Sequence, residues 1–303
     1  MTAPHISFAQ GEEVLDWLAL SDALAAGHAL PRAEIADTFL YRGDDTLLSR
    51  AAWIDGLGMA VKTATIFPGN PQSGQPMVNG AVALYSDTDG TLAAMIDFHL
   101  VTKWKTAGDS LLAARRLADP DSQHILIVGA GTVGASLVQA FSAGFPQARF
   151  EIWNRTGAKA RDLADGFAHA RAVTDLEAAV HRADIIVTAT MSSTPILRGD
   201  WLRPGQHVNL IGAYRPDMRE ADDRALQRAR VFVDSVDTTL DHIGELKIPL
   251  ESGAISRDHV RADYYDLAQF VPDADAITVF KNGGGAHLDL MTSRHILDQW
   301  RAR

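Results

Sequence analysis

The sequence predicts an α/β protein in which a doubly wound parallel sheet is inserted in an α+β domain. Three observations carry this. Residues 36–100 hold five successive strand-like runs separated by turn signals, the mark of an antiparallel or mixed sheet. Residues 124–236 instead alternate strand-like and helical runs, which implies a parallel sheet. The chain then closes on a glycine-rich segment and a helical run, Leu288 to Trp300. The alternating block therefore sits in the middle, and the last helix returns to the first domain. At 303 residues the chain is long for one core, and two domains are expected.

The elements follow in order. Val14 to Ala26 has helical spacing, with Val14, Trp17, Leu18 and Leu24 near one face. The five strand runs are Ala36–Arg42, Thr46–Ile54, Gly58–Phe67, Met77–Ser86 and Leu92–Leu100. Gly43-Asp44-Asp45, Asp55-Gly56, Pro68-Gly69-Asn70-Pro71 and Asp87-Thr88-Asp89-Gly90 mark the turns between them. A Leu- and Ala-rich helix is expected over Thr106–Leu117, ending before Pro120. In the second block, strands are expected at His124–Val128, Phe150–Trp153, near Val173, and at Ile185–Ala189, His207–Ile211 and Val231–Val236. Helices are expected from Gly131, over Ala158–Phe167 and Asp175–His181, and over Asp222–Ala229. Domain limits of 1–117, with 283–303 returning to it, and 118–282 follow from this reading.

Composition narrows the function. A net charge of −10 makes the chain a poor candidate for nucleic acid or for anionic membrane surfaces. The absence of cysteine removes disulfides, thiolate catalysis and Cys-ligated zinc, and fits a reducing cytoplasm. Met1–Gln10 lacks the basic stretch and apolar run of a signal peptide. The span His124–Arg149 has no charged side chain between its ends, but its four glycines, proline, two serines and two glutamines break it into strand, turn and amphipathic helix. It is not read as a membrane span. The histidines are scattered, with no H-x-x-x-H pair on an expected helix, so no metal site is expected.

Gly129-Ala130-Gly131-Thr132-Val133-Gly134 has the G-x-G-x-x-G form. Alone that is a weak pattern. Here it follows an apolar strand and opens a helix, which is the context its mechanism requires. The first glycine permits a tight turn, the second lets a pyrophosphate approach the backbone, and the third lets helix pack on strand. Phosphates then meet free N–H groups at a helix N-terminus. This is the signature of a Rossmann doubly wound parallel sheet. The competing reading is a glycine turn without a nucleotide.

The end of the second strand sets the choice of dinucleotide. A protein that binds NAD usually carries Asp or Glu there for the ribose 2′-OH. This chain reads Trp153-Asn154-Arg155-Thr156 instead. Arg155 suits a 2′-phosphate, Thr156 adds a hydroxyl, and Lys159 adds charge one turn into the next helix. NADP(H) is therefore the expected cofactor, with NAD(H) as the second choice. The alternative is that Arg155 is a solvated surface residue. Thr188-Ala189-Thr190, after the strand Ile185–Val187, would border the cofactor crevice. A plain polar turn explains them equally well.

Few charges interrupt the strand runs of the first domain. Arg50 lies within Leu47-Leu48-Ser49-Arg50-Ala51-Ala52-Trp53, and Lys62 lies within Met59-Ala60-Val61-Lys62-Thr63-Ala64-Thr65. Each is either on a solvated face or deliberately buried. Lys105 sits just before the expected long helix, at the junction of the two regions.

Together these residues resemble the ornithine cyclodeaminase/μ-crystallin family over nearly the whole chain. The resemblance rests on Lys62-Thr-Ala-Thr-Ile-Phe-Pro-Gly69-Asn70, Thr102-x-x-Lys105-Thr-Ala-Gly-x-Ser110-x-x-Ala113-Ala114 and the Gly129 motif. It also rests on Trp153-Asn-Arg-Thr156, Gly212-Ala-Tyr-Arg-Pro-Asp217-Met-Arg-Glu220 and Phe280-Lys-Asn282-Gly-Gly-Gly285-Ala-His-Leu-Asp289. It implies a homodimer, with a substrate and dimerisation domain beside a Rossmann cofactor domain. It implies that Lys62 is the catalytic, substrate-contacting lysine, and that Asn282 belongs to a segment bordering the cofactor. Many members carry arginine at the position of Lys105 to clamp the substrate carboxylate. Lysine keeps the charge without the fork, and Arg50 is the residue to supply it. Tyr214 stands near where true cyclodeaminases carry an aspartate.

The resemblance thus implies reduction of a cyclic ketimine acid, Δ1-pyrroline-2-carboxylate or Δ1-piperideine-2-carboxylate, to L-proline or L-pipecolate. In this reading Arg50 and Lys105 hold the carboxylate and Lys62 polarises the substrate or delivers a proton. Asp217 orients a water or a cation, or else is a surface-turn residue after Pro216. Three alternatives remain at this stage: conversion of ornithine to proline with release of ammonia, reductive amination of an open-chain keto acid, and a non-catalytic ligand-binding protein.

Overall fold

The structure, a computed structural model, describes residues 3–303, so the first two residues of Met1–Gln10 lie outside the described range. It divides into two compact units, residues 1–105 with 285–303 and residues 106–284.

The first unit is a six-stranded sheet in the order β1-β6-β5-β4-β3-β2. The strands are β1 (His5–Ile6), β2 (Glu34–Arg42), β3 (Asp45–Ile54), β4 (Gly58–Ile66), β5 (Val78–Tyr85) and β6 (Leu92–Asp97). All neighbours are antiparallel except β1, which runs parallel to β6. Helices α1 (Phe8–Glu12) and α2 (Trp17–His28) precede the long strands. The α2 helix starts at Trp17 rather than Val14 because the Asp16 side chain accepts the Ala19 N–H at 2.8 Å.

The strand expected over Leu92–Leu100 stops at Asp97, and α3 (Phe98–Leu117) begins at once, eight residues before the expected Thr106. The Asp97 carboxylate accepts the Leu100 N–H at 2.9 Å, so one residue ends the strand and caps the helix. Lys105 therefore lies within a helix, not ahead of it. The division between the units falls inside α3, after Lys105.

Alternation along β4 decides what faces inward. Ala60, Lys62 and Ala64 are buried, while Met59, Val61 and Thr63 are half-buried. A period of two thus carries Lys62 onto the covered face. Helix α10 (Ala286–Ala302) packs against that sheet.

The second unit is an eight-stranded sheet in the order β13-β12-β14-β11-β10-β7-β8-β9, parallel throughout. Its strands are β7 (His124–Val128), β8 (Arg149–Trp153), β9 (Ala170–Ala172), β10 (Ile185–Thr188), β11 (His207–Leu210), β12 (Ala229–Val233), β13 (Val260–Ala262) and β14 (Ile277–Lys281). Its further helices are α4 (Thr132–Gly144), α5 (Gly157–Ala164), α6 (Leu176–Arg182), α7 (Asp223–Arg228), α8 (Val236–Thr239) and α9 (Gly244–Glu251). The apolar runs of β7, β10 and β11 are fully buried, as central parallel strands require. Strand order reverses at β7, between β8 and β10, which is the topological switch point of a doubly wound sheet. Among the described residues no helix is long and apolar enough to cross a membrane, and no group of side chains fits a metal ion.

Candidate functional site

In the first unit, antiparallel register places three charged residues in one row across the sheet. Asp37 pairs with Arg50, and Arg50 with Lys62. The Arg50 fork grips Asp37, Nη2 to Oδ2 at 2.6 Å and Nε to Oδ1 at 3.3 Å. Lys62 Nζ donates to Asp289 Oδ1 on α10 at 2.9 Å and lies 4.8 Å from the centre of the Phe98 ring. Both partners of that ion pair are buried.

Burial pushes the Lys62 ammonium down to about 8. Lys105 and Arg50 add to the drop, while Asp289 opposes it. Asp289 would be raised by burial, yet Lys62, Lys105 and Arg50 together hold it below the usual carboxylate value. Burial, reinforced by His28 and Lys105, keeps His287 well below the ordinary imidazole value, so it is neutral. Asp289 Oδ2 is buried without a hydrogen-bond partner among the described residues. The cluster therefore sets three cations against two carboxylates and keeps one acceptor atom uncommitted. Such a place suits an anionic ligand and a proton transfer near neutral pH.

In the second unit, the glycine motif forms the expected turn. Gly129 has φ +123°, and a Cβ there would lie 2.5 Å from the Ala189 carbonyl oxygen. A Cβ on Gly134 would lie 2.3 Å from the Gly129 carbonyl, which is the close helix–strand packing the third glycine permits. At Gly131, the N-cap of α4, a Cβ would meet nothing within 4 Å, and no side chain caps the helix. Open space thus lies over Gly131, and Thr132 beside it in the first turn is exposed. That cradle fits a dinucleotide pyrophosphate.

Asn154 ties the neighbouring turn to this one. Its Oδ1 accepts the Ala130 N–H at 3.3 Å and its Nδ2 donates to the Thr156 carbonyl at 3.0 Å. Arg155, Thr156 and Lys159 are exposed. Thr188 and Thr190 both donate their hydroxyls to Glu220, at 2.7 and 2.8 Å. The Ala189 N–H bonds the Val128 carbonyl at 2.8 Å. The Asn282 amide donates to the Thr106 carbonyl and to Ser110 Oγ, both at 3.3 Å, which docks the end of β14 on α3. Asp217 is exposed and held in a fork by Arg215, with both contacts at 2.9 Å. The side-chain hydrogen bond from Arg215 keeps Asp217 below its ordinary pKa. Its geometry is that of a surface turn.

The structure thus joins Arg50, Lys62 and Lys105 electrostatically, and links Ala130 to Asn154 and Thr188 to Thr190. Asp289, Glu220, Glu245 and Lys281 have no role among the expectations from the sequence. A charged residue inside an apolar run, as in Leu288-Asp289-Leu290 or Val279-Phe280-Lys281, was the available signal.

A Rossmann-type unit joined to an α+β unit with a buried lysine defines the class of protein. The chain belongs to the ornithine cyclodeaminase/mu-crystallin family, whose model matches residues 52–303. It is 51% identical to a Delta(1)-pyrroline-2-carboxylate reductase of Paracoccus denitrificans, over 97% of this chain and 96% of that one. Its fold matches the Thermococcus litoralis Delta(1)-pyrroline-2-carboxylate reductase solved with NADH and L-proline, with a TM-score of 0.89 and 22% identity over 97% and 96% of the chains. It also matches an archaeal alanine dehydrogenase dimer with bound NAD, with a TM-score of 0.90 and 24% identity over 100% and 97%.

These findings correct the expected NADP(H) preference. Both solved relatives carry the cofactor without a 2′-phosphate. Arg155 is exposed, in keeping with the alternative reading of it as a solvated surface residue.

Proposed function

We propose that this chain reduces a cyclic ketimine acid with NADH, turning Δ1-pyrroline-2-carboxylate into L-proline and, as a second substrate, Δ1-piperideine-2-carboxylate into L-pipecolate. The observation that carries the reading is the buried Lys62–Asp289 pair, 2.9 Å apart, amid the charges of Lys105 and Arg50. The likeness to the Paracoccus enzyme supports it.

The reaction adds a hydride to the C=N carbon and a proton to its nitrogen. NADH, when bound, supplies the hydride. Lys105 and Arg50 attract the substrate carboxylate, with Arg50 fixed by Asp37. Lys62 Nζ gives up the proton and regains one from solvent, a transfer favoured by an ammonium lowered to about 8. Asp289 holds Nζ in place. The Gly129–Gly134 turn and the Thr188–Thr190 segment seat the cofactor, with Asn154 bracing the turn. Asp217, gripped by Arg215, takes no part in the chemistry. The first unit, residues 1–105 with 285–303, binds the substrate and forms a homodimer. The protein works in the cytoplasm, where a chain free of cysteine has nothing to lose to reduction.

The test is NADH oxidation with Δ1-pyrroline-2-carboxylate, alongside NADPH and an L-ornithine control assayed for ammonia. Rapid NADH oxidation is expected. Ammonia release from ornithine without NADH consumption, or inactivity with every substrate, would overturn the reading.

A further inference from the structure

The ends of β10, which pairs with the strand leading into the glycine turn, and of its other neighbour β11 meet on one buried carboxylate, Glu220. Its Oε2 accepts the Thr188 hydroxyl at 2.7 Å and the Gly212 N–H at 2.6 Å. Its Oε1 accepts the Thr190 N–H at 2.7 Å and the Thr190 hydroxyl at 2.8 Å. Thr188 is the last residue of β10, and Gly212 lies two residues beyond β11. One side chain therefore fixes the carboxyl ends of two adjacent parallel strands.

Glu220 is itself held. Glu245, in the first turn of α9, accepts the Glu220 N–H at 2.8 Å and the Ala221 N–H at 3.0 Å. A Cβ at Gly244 would lie 2.4 Å from the Pro216 carbonyl, so only glycine lets α9 come this close. Lys281, at the end of β14, supplies the balancing charge and donates to the Leu210 carbonyl at 2.9 Å. All three side chains are buried. Burial and the Glu220 charge raise the Glu245 carboxyl, while Lys281 opposes them.

This hub reaches the cofactor turn through direct packing. The segment Glu220 grips lies against Gly129, where a Cβ would sit 2.5 Å from the Ala189 oxygen and 3.4 Å from Thr190 Cγ2. On the other side, a Cβ at Gly212 would lie 1.9 Å from the Thr190 oxygen. A shift of residues 188–190 therefore moves the turn that seats the dinucleotide.

We propose that Glu220, braced by Glu245, is the positioning residue of the cofactor crevice: it fixes the Thr188–Thr190 wall against the Gly129 turn and thereby sets affinity for NADH. The inference rests on the NADH reading above. Glutamine cannot replace this carboxylate. The two threonine hydroxyls rotate to suit either end of an amide, but the backbone N–H groups cannot. In one orientation the amide nitrogen opposes the Gly212 N–H, and in the other the Thr190 N–H.

The experiment is titration of the full chain with NADH, read by cofactor fluorescence, for wild type, Glu220→Gln, Thr190→Val and the double variant. Glu220→Gln is expected to weaken NADH binding about tenfold or more, as loss of a charge-assisted hydrogen bond does. Thr190→Val, which removes only the hydroxyl, is expected to weaken it by a smaller factor. The double variant should lose less than the product of the two single losses. The KM for the imino acid should stay near the wild-type value, because a general loosening of the fold would raise both. Unchanged NADH affinity in Thr190→Val, or equal rises in the NADH constant and in the imino-acid KM, overturns the proposal. If Glu220→Gln does not fold, Thr190→Val and a Thr188→Val companion decide alone. A wild-type chain that fails to bind NADH overturns the cofactor reading and this proposal together. Wild-type binding with unchanged variants overturns this proposal only.

Discussion

Both units bury a lysine among carboxylates, and they use it differently. In the first unit Lys62 meets Asp289 through one oxygen, and the other oxygen, Oδ2, has no hydrogen-bond partner among the described residues. In the second unit both oxygens of Glu220 and both of Glu245 accept hydrogen bonds, and four of the six donors are backbone N–H groups. A buried charge with an unfilled position is equipped to meet something that comes and goes. A buried charge whose positions are filled by the chain is part of the scaffold. The difference assigns chemistry to Lys62 and architecture to Lys281, although burial lowers the pKa of both.

The sharpest way to break this comparison is the same substitution in each cluster. Lys62→Met is expected to lower kcat by about 10²- to 10⁴-fold, the usual worth of a positioned proton donor, and to leave NADH affinity unchanged. Steady-state rates and a cofactor titration measure both. Lys281→Met is expected to lower stability by about 3–5 kcal/mol, the cost of stranding buried carboxylates, as read by denaturant unfolding. A fully active Lys62→Met, or a Lys281→Met as stable as wild type, would erase the distinction.

The two regions also differ in how far the sequence exposes them. The glycine turn is six consecutive residues after an apolar strand, so its geometry is local and legible. The Lys62–Asp289 pair joins residues 227 positions apart, and no periodicity links them. Lys62 showed itself as a charge in a strand run, but its partner arrives on a helix that returns from the far end of the chain. The middle of the second sheet was also hidden. The strand β14 lies between β11 and β12, yet from the sequence no element is expected over 277–281, five residues that run directly into a glycine-rich segment. At Asp97 the apolar alternation ran on into Phe98 and Leu100, and only the cap revealed the start of the helix.

The electropositive side of the Lys62 cluster gives the next largest effect. Lys105→Gln removes one of the charges acting on Lys62 and Asp289. The KM for the imino acid is expected to rise about tenfold to a hundredfold, the range for losing a hydrogen bond to a charged group, with NADH affinity intact. Lys105→Arg should restore most of the loss. Equal rises for both substrates would place Lys105 in the scaffold instead.

The same cluster fixes a pH dependence. Lys62 must be protonated to give up a proton, and its ammonium titrates at about 8. The ratio kcat/KM is therefore expected to fall as pH rises through about 8. Asp289 raises that pKa, so Asp289→Asn should move the falling limb to lower pH. A pH–rate profile of wild type and variant checks both statements, and a limb that stays in place would detach Asp289 from the reacting lysine.

The smallest effect is expected at Arg155, where the comparison concerns two ways of meeting a cofactor. Asn154 is tied into the turn by Ala130 and Thr156, whereas Arg155 beside it faces solvent. An exposed side chain outside a hydrogen-bond network changes binding by about 0.5 kcal/mol or less when removed, which is about a twofold change in affinity. Arg155→Ala should therefore leave the KM for NADH within about twofold of wild type. Asn154→Ala should raise it further, because it frees the Ala130 N–H and loosens the turn above the phosphate cradle. Steady-state titration of both variants with NADH orders them, and a larger loss in Arg155→Ala than in Asn154→Ala would return the specificity of the crevice to the arginine.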